Sequence, residues 1–180
     1  SVAIQEDGKI ILAGYIDTIT GYDFAVVRLN TDGSLDTSFD EDGTSTANFF
    51  GLNDFGREVT IQPDGKIIIV GDVFNGDDTD FGVARFNADG TLDPTFDNDG
   101  LAITQVNPNV FDFATSVAVQ INGKIVVGGY TFGNVNTDFA VVRYNANGSL
   151  DDALWNSSSG KLFGTGGKAI FDFGQSDQIE

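Results

Sequence analysis

The chain has 180 residues, no cysteine, no histidine and a formal net charge of −18. The missing cysteines exclude disulfides and Cys-ligated zinc, and the missing histidines exclude a His-based triad or metal centre built from this chain alone. The negative charge argues against a nucleic acid partner, and no apolar run is long enough for a membrane span.

The first 50 residues predict four short strands joined by turns. The strands are expected over residues 2–5, 9–15, 24–29 and near 45–50. The Glu-Asp-Gly sequence at residues 6–8 is typical of a hairpin turn. Because β-branched and aromatic residues fill the runs and Gly, Asn and Asp separate them, we expect no helix in the chain.

The same unit occurs three times in the chain. Its first motif, SVAIQEDGKIILAGY, starts at Ser1 and returns at Glu58 and Ser116. Its second motif, DFAVVRLNTDGSLD, starts at Asp23 and returns at Asp80 and Asp138. A third block changes from SFDEDG and TFDNDG to LFGTGG in the last copy. We therefore divide the chain into repeats over 1–57, 58–115 and 116–180, with an insertion near 152–161.

The second strand of each unit predicts the architecture. Residues 10–13 and 67–70 are continuous apolar runs, which indicate a strand covered on both faces. Blades of a β-propeller are covered in this way, and a blade is a four-stranded repeat. The expected fold is all-β, with three four-stranded antiparallel blades that are part of a larger or oligomeric ring. A β-helix or other solenoid is the alternative, although the shorter sub-repeat it requires is absent.

The repeated motifs resemble a known family. The pattern V-x-x-Q-x-x-G-K-I, followed by D-F-x-V-x-R-[LFY]-N-x-[DN]-G-[ST]-L-D, resembles the delta-60 repeat of bacterial proteins. The resemblance implies a propeller-like domain in a secreted or cell-surface protein. It implies no catalytic residue.

The two ends of the chain are in register with the repeat. Residues 174–180 lead into Ser1 and Val2 with the spacing found inside the chain, and the first residue is not methionine. We therefore expect a processed chain or a piece of a longer array, or else a subunit whose ends meet those of a neighbouring copy. The expected partners are neighbouring repeats or identical subunits, with a glycan or a surface protein as further candidates.

Six of the nine basic residues occupy two repeated positions, which indicates a structural role. They are Lys9, Lys66, Lys124, Arg28, Arg85 and Arg143. A mid-strand arginine is costly to bury unless it is paired. We expect the arginines to pair with Asp36, Asp93 and Asp151, or with the aspartate before each Phe-Ala-Val or Phe-Gly-Val.

Two loops concentrate oxygen-bearing side chains that are candidate calcium ligands. They are Asn30, Asp32, Asp36, Asp40 and Asp42 in the first repeat, and Asn87, Asp89, Asp93, Asp97 and Asp99 in the second. Calcium takes six to eight oxygen ligands. Asn-x-Asp-Gly is also an ordinary turn sequence, so both interpretations stay open. The third copy, with Asn147, should bind calcium worst, and no other cofactor is expected.

Two features fall outside the repeated pattern. Asp77, Asp78 and Asp80 form an acidic run, which we interpret as a solvated loop. Trp155 lies in the insertion, where it would either stack on a sugar ring as a ligand-binding residue or cover an exposed edge.

These observations favour a non-catalytic, extracellular module of a bacterial surface or secreted repeat protein. Three blades are too few to close a propeller, so we expect self-assembly through blade edges. A glycan-binding, lectin-like propeller and a calcium-binding adhesion module are the alternatives. An enzyme is not expected, because every acid pair lies in a repeated turn.

Overall fold

A computed structural model describes residues 1–133, 136–152 and 164–172. These residues form twelve strands in three separate four-stranded antiparallel sheets, and none of them is helical. In each sheet the strand order follows the chain order, so every sheet is a meander. Among the described residues, none belongs to an apolar helix with the length that a bilayer crossing needs.

Each sheet corresponds to one repeat and is called a blade below. Blade 1 contains β1 (Val2–Ile4), β2 (Ile10–Thr18), β3 (Gly21–Leu29) and β4 (Thr44–Ala47). Blade 2 contains β5 (Asp54–Ile61), β6 (Ile67–Phe74), β7 (Thr79–Phe86) and β8 (Leu101–Thr104). Blade 3 contains β9 (Asp112–Val119), β10 (Ile125–Phe132), β11 (Thr137–Tyr144) and β12 (Lys168–Phe171). The three antiparallel blades confirm the predicted fold class.

Among the described residues, the blades stack face to face in chain order and the sheets do not close into a ring. Strand β5 contacts β2 and β3 of blade 1, and β9 contacts β6 and β7 of blade 2. Blade 2 therefore has a neighbouring blade on both faces, whereas blades 1 and 3 each have one on a single face in the part of the chain that the structure describes. The alternative of a β-helix is wrong, because each repeat forms its own sheet instead of a rung of a shared one.

The middle strands show the effect of this stacking. In β6, every residue from Ile67 to Val73 is buried, whereas β10 alternates between buried and partly exposed residues. Successive side chains of a strand point to opposite faces of its sheet. The apolar run of β6 is thus buried on both faces, as the sequence predicts. The equivalent run in β2 is buried on one face only, since Ile11 is inaccessible and Leu12 is 40% exposed.

Two apolar cores fill the spaces between the blades. The core between blades 1 and 2 includes Ile11, Phe24 and Val26 on one side and Ile67, Ile69 and Phe86 on the other. The core between blades 2 and 3 includes Ile68, Phe81 and Val83 on one side and Ile125, Val127 and Tyr144 on the other. The same repeat positions therefore form both cores.

The strand boundaries differ from the predicted ones: β4 ends at Ala47 instead of near residue 50, and two further differences extend strands. Strands β2 and β3 continue to a hairpin at residues 18–21, which the Thr18 hydroxyl closes by donating to the Gly21 carbonyl at 2.7 Å. Strands β5 and β9 begin four residues before the repeat motif, at Asp54 and Asp112. Each of these two aspartates accepts amide hydrogen bonds from the preceding loop, which fixes the start of the strand.

The stacking predicts unequal costs for one substitution at equivalent positions. Val59 is 4% exposed in the core between blades 1 and 2, whereas Val2, its counterpart in blade 1, is 60% exposed. We expect Val59→Ala to lower the free energy of unfolding by about 2 kcal/mol. Val2→Ala should cost less than about 0.5 kcal/mol. Urea unfolding followed by circular dichroism measures both, and equal losses would contradict the stacking order.

Candidate interaction surface at the blade faces

The repeated arginines and lysines converge on one aspartate in each blade. In blade 1, the Arg28 Nε and the Lys9 Nζ donate to the same Asp36 oxygen at 2.6 and 2.7 Å. The isolated bridge between Leu29 and Leu35 brings this aspartate beside the end of β3. The equivalent lysine and arginine bind one oxygen of Asp93 in blade 2, and they bind the two different oxygens of Asp151 in blade 3. Of the two kinds of acid considered for the arginines, the structure therefore shows the one that follows the turn.

Each of the first two arginines also crosses to the next blade. The Arg28 Nη1 donates to the Ala88 carbonyl of blade 2 at 2.6 Å, and the Arg85 Nη1 donates to the Ala146 carbonyl of blade 3 at the same distance. Both carbonyls lie in the turn after the third strand of the accepting blade. Because the guanidinium is a planar fork with five N–H donors, one side chain can bind its own aspartate and this carbonyl at once.

An aromatic ring and a hydroxyl complete the surroundings of the buried guanidinium. Arg85 stacks over the Phe96 ring at 4.6 Å from its centroid and donates to the Thr95 hydroxyl at 3.2 Å. Arg28 has the equivalent neighbours Phe39 and Ser38. All three nitrogens of the buried guanidinium thus donate a hydrogen bond and a ring covers one of its faces, and such pairing is what makes a buried cation tolerable.

A main-chain hydrogen bond accompanies each arginine. The Asp40 amide donates to the Asp89 carbonyl at 2.7 Å, and the Asp97 amide donates to the Asn147 carbonyl at 2.8 Å. Both donors have a left-handed backbone, with φ of 46° and 47°. A Cβ on the glycine after the acceptor, Gly90, would lie 2.9 Å from Asp40. This position therefore has to be glycine for the two blades to approach.

The predicted calcium ligands form two groups in the structure. Asp36 and Asp93 are held by cations. The Lys9 hydrogen bond is the largest of several that lower the pKa of Asp36. Burial alone would raise the pKa of Asp93, but hydrogen bonds from Thr95 and Lys66 outweigh it and lower the pKa to about 2.

Six of the other eight predicted ligands lie in turns that they stabilise themselves, whereas the amides of Asp40 and Asp97 donate to the next blade. The Ser34 hydroxyl donates to Asp32, and the Thr44 hydroxyl donates to Asp42, which lowers the pKa of each acid. Asp89 accepts from the Thr91 hydroxyl, and Asp99 accepts from the Leu101 amide. Asn30 and Asn87 each donate to the hydroxyl four residues on. Within residues 1–133, 136–152 and 164–172, no three acids are arranged to hold a metal ion. Calcium binding stays a prediction.

Two further sequence interpretations have separate outcomes. Trp155, the predicted sugar-stacking residue, lies outside the described residues. The solvated-loop interpretation of Asp77–Asp80 is wrong for two of its members, because Asp78 and Asp80 are 6% and 5% exposed. Both accept hydrogen bonds from the Asn75 amide, which turns the acidic run inwards.

Sequence reasoning missed several buried acids, and two of them, Asp54 and Asp112, begin the first strand of a blade. Asp54 and Asp112 are inaccessible, and each has one buried oxygen without a hydrogen-bond partner in the described structure. The pKa of Asp54 is raised to about 6, mainly by burial; the Phe49 amide opposes this shift, and the nearby Asp23 adds to it. Burial also raises the pKa of Asp112 to about 6, with Asp80 as its acidic neighbour. The Asp-Phe dipeptide that starts both β5 and β9 is the sequence signal for these acids.

Blades 1 and 3 each leave one face without a neighbouring blade among the described residues. We define the head face as the side of blade 1 turned away from blade 2, formed by Val2, Ile4, Leu12, Gly14, Ala25 and Val27. We define the tail face as the side of blade 3 turned away from blade 2, formed by Val126, Phe139, Val141 and Arg143. The head-face residues have repeat equivalents inside the first core, and the tail-face residues have repeat equivalents inside the second.

The hydrogen bond from an arginine to the turn of the next blade is called the arginine link below. It predicts that the same substitution costs more stability at Arg85 than at Arg143. Lysine in place of Arg85 retains the charge but cannot bind Asp93, Thr95 and the Ala146 carbonyl together. We expect Arg85→Lys to lower the free energy of unfolding by about 2 kcal/mol.

Arg143→Lys is the matched control for this substitution. Arg143 occupies the same repeat position on the tail face, with 21% of its side chain exposed against 5% for Arg85. Its replacement should cost less than about 1 kcal/mol. Chemical denaturation of the two variants gives the comparison, and a larger loss for Arg143→Lys would contradict the role of the crossing hydrogen bond.

The buried acids predict that stability falls as the pH rises from 4 to 6. In that interval the folded chain still holds protons on Asp54 and Asp112, whereas in the unfolded chain these groups have released them. The free energy of unfolding should therefore increase on acidification from pH 7 to about 4, and decrease below that as Asp93 loses its ion pairs. Asp54→Asn, which cannot ionise, should raise stability at pH 7 by about 2 kcal/mol.

Acidification also relieves the repulsion among the many acids of the chain, which raises stability by itself. The slope of stability against pH, compared between variants, separates this general effect from the protons held by Asp54 and Asp112. Relief of repulsion acts on all variants, so only the difference between the wild type and the Asp54→Asn and Asp112→Asn variants reports these two acids. Urea titrations of all three proteins at half-unit pH intervals measure this difference in the free energy of unfolding. A difference that stays constant between pH 4 and 7 would show that neither acid holds its proton.

Comparison with known families agrees with the fold. The chain matches the model of a family described as a domain of unknown function (DUF5122) beta-propeller, over residues 5–39, 62–96 and 120–153. The three matches together span more than half of the chain and confirm the resemblance to the delta-60 repeat. No curated protein matches the chain. The chain therefore belongs to the DUF5122 beta-propeller family.

Proposed function

We propose that this chain is a non-catalytic structural module that binds further blades through its head and tail faces. The observation that carries the proposal is that apolar side chains are exposed on blade 1 at repeat positions that are buried in the core of blade 2. Leu12 on the head face is 40% exposed, whereas its equivalent in blade 2, Ile69, is inaccessible. Ile4 is 71% exposed on the same face. Contiguous apolar surface of this kind typically marks an interface between proteins.

The chemistry of the acids supports a structural role over a catalytic one. The carboxyl groups whose pKa is raised to about 6 belong to Asp54, Asp72 and Asp112, and burial is the main cause for each. These residues are at most 1% exposed, so a substrate has no access to them. The acids with a lowered pKa bind lysine, arginine or the hydroxyl groups of their own turns. Both groups therefore serve the packing of the blades.

We place the module outside the cell, in a secreted or surface protein of a bacterium. The support is the family, whose delta-60 repeats resemble those of such proteins, and the acidic, cysteine-free composition. A net charge of −18 favours solubility and resists unspecific association. Immunodetection of the native protein in culture medium and in surface and interior cell fractions tests the location, and a purely interior signal would contradict it.

The proposal predicts that the purified chain associates with itself in solution. Two copies joined through both faces would close a ring of six blades, and copies joined in a row would form longer assemblies. Light scattering after size-exclusion chromatography should give at least twice the 19.1 kDa mass of one chain. Association should strengthen with salt. The Debye screening length falls from roughly 30 Å at 0.01 M to about 8 Å at 0.15 M ionic strength, and stronger screening weakens the repulsion between acidic copies.

A folded monomer would contradict the proposal. Circular dichroism of the same samples establishes that the strands are intact. A mass of one chain at every concentration and salt level, with an intact β spectrum, would show that the two faces do not bind blades.

A further inference from the structure

We propose that a cluster of aromatic rings around Arg57 binds a neutral polysaccharide. The ring cluster consists of Tyr15 and Tyr22 of blade 1 together with Phe55 and Arg57 of blade 2. It lies between two blades and apart from the head and tail faces, so the inference goes beyond the proposed function and does not depend on it. Three observations carry it: where the repeats differ, which groups are exposed, and how the charge of Arg57 is balanced.

The two ends of a blade differ in how closely the repeats agree. Because consecutive strands are antiparallel, the turns after the first and third strands lie at one end, and the connections after the second and fourth strands lie at the other. The first end is nearly constant, as in QEDGK, QPDGK and QINGK. At the second end, residues 16–22, 73–79 and 131–137 have no position with the same residue in all three repeats. Repeat proteins often place their variable loops on the binding face, and the ring cluster lies at this variable end.

The rings of the cluster meet across the boundary between blades 1 and 2. The ring centroids of Tyr15 and Phe55 are 4.9 Å apart, and those of Tyr22 and Phe55 are 5.3 Å apart. Tyr15 follows Ile11 and Ala13 on the face of β2 that packs on blade 2, but it lies beyond the core and is 51% exposed. The cluster therefore continues the apolar interface to the surface, where a ligand has access to it.

A β-bulge places Arg57 beside these rings. The register between β5 and β6 shifts between Gly56 and Glu58, so Arg57 is the extra residue of the bulge. Its guanidinium carbon lies 5.4 Å from the centroid of the Phe55 ring, and 44% of its side chain is exposed. Bulges are frequent next to functional sites, where they redirect a side chain.

The stacking of blades does not require this cluster. The boundary between blades 2 and 3 has other residues at three of the four positions, namely Asp72, Thr79 and Thr115 in place of Tyr15, Tyr22 and Arg57. That boundary nevertheless has a complete apolar core. We therefore assign the rings and the arginine of the first boundary a role besides packing.

The charge of Arg57 is balanced within the protein. Its Nε and Nη2 donate to one oxygen of Asp72 at 2.8 and 2.5 Å, and Asp72 is itself buried. The ion pair has no net charge, so it gives little attraction to a charged ligand. The net charge of −18 on the chain also repels polyanions. The ligand that fits the cluster is therefore uncharged.

The exposed polar groups of the cluster suit a ligand with hydroxyl groups. Within the described residues, the Arg57 Nη1 and the hydroxyls of Tyr15 and Tyr22 make no hydrogen bond, so they are available as donors around the rings. A sugar ring has an apolar face of C–H groups and a rim of hydroxyls. It can thus stack on an aromatic ring while its rim binds these donors.

The exposed ring area is small for a protein partner. A large aromatic side chain offers roughly 200 Å² of surface, and Tyr15 is the most exposed of the three. Together the rings therefore present at most about 300 Å². A stable protein contact takes about 800 Å² from each partner, whereas one or two sugar units need much less.

Native electrophoresis in gels that contain a polysaccharide tests the inference. The probes are a soluble β-glucan, a mannan, a xylan and a galactan, with alginate as an acidic comparison. We expect at least one neutral probe to retard the chain, and its oligosaccharides then give the dissociation constant by calorimetry. Because the ligand is uncharged, this constant should change less than about twofold between 0.01 and 0.15 M ionic strength.

Removal of the most exposed ring should weaken binding. We expect Tyr15→Ala to raise the dissociation constant about tenfold, since a ring at the centre of a contact contributes most of its affinity. Phe171→Ala is the matched control, because Phe171 is 49% exposed on the outer strand of blade 3 and should leave the constant unchanged. Circular dichroism establishes that both variants fold.

Two milder variants keep the test decisive should Tyr15→Ala not fold. Tyr15→Phe retains the ring and loses the hydroxyl, and Arg57→Lys retains the charge that Asp72 needs and loses the free Nη1. Each should raise the dissociation constant about threefold, which corresponds to the loss of one hydrogen bond.

The contrary outcomes are distinct from those of the proposed function, which is tested by self-association. Failure of every neutral probe to retard the wild type would overturn the inference, and so would retardation by alginate alone. Binding that is unchanged in all variants of Tyr15 and Arg57, or equally reduced by Phe171→Ala, would place the ligand elsewhere and overturn it too. Weaker self-association of Tyr15→Ala without any polysaccharide binding would show that the cluster contacts protein instead.

Discussion

The arrangement of the blades depends on a guanidinium that has to be shared between two of them. Arg28 and Arg85 are almost fully buried, and a buried cation is tolerated only when its donors are satisfied. Each blade supplies the aspartate, the hydroxyl and the aromatic ring, but the carbonyl that accepts from Nη1 comes from the next blade. The position of one turn relative to the preceding sheet is therefore fixed by electrostatics as well as by apolar packing.

The buried carboxyl groups oppose the arginine links at the same interfaces. Asp54 and Asp112 lie at the starts of β5 and β9, beside the acids that precede Phe24 and Phe81. At neutral pH these pairs cost free energy, whereas the arginine links contribute it. In a linear array each blade interacts mainly with its nearest neighbours, so this balance is repeated at every contact. Acidification favours the folded, stacked state because Asp54 and Asp112 take up protons there. This gain ends at the pH where the acids that bind lysine and arginine begin to take up protons themselves.

Much of the fold is predictable because the repeat places equivalent residues at equal spacing. The continuous apolar run of β6 predicts burial on both faces, and the structure confirms it. The similar run at residues 10–13 gives the same prediction, yet only one face is covered, because burial also needs a neighbouring blade that a local pattern does not specify. The choice between two partners for Arg28 depended on how the turn returns to β3, which sequence spacing does not determine. Asp78 and Asp80 were misinterpreted because a local charge run does not show that Asn75 draws them inwards.

The two sides of a blade differ in chemistry because of the same repetition. Every contact between blades has its cation and aromatic ring on the preceding blade and its carbonyls and small residues on the following one, so the two open faces differ in chemistry. At the head face, the turn that carries the Thr31 carbonyl also contains Asp32 and leads to Asp36. A chain with a net charge of −18 repels its copies at long range, and only a contact that opposes unlike charges locally offsets this repulsion.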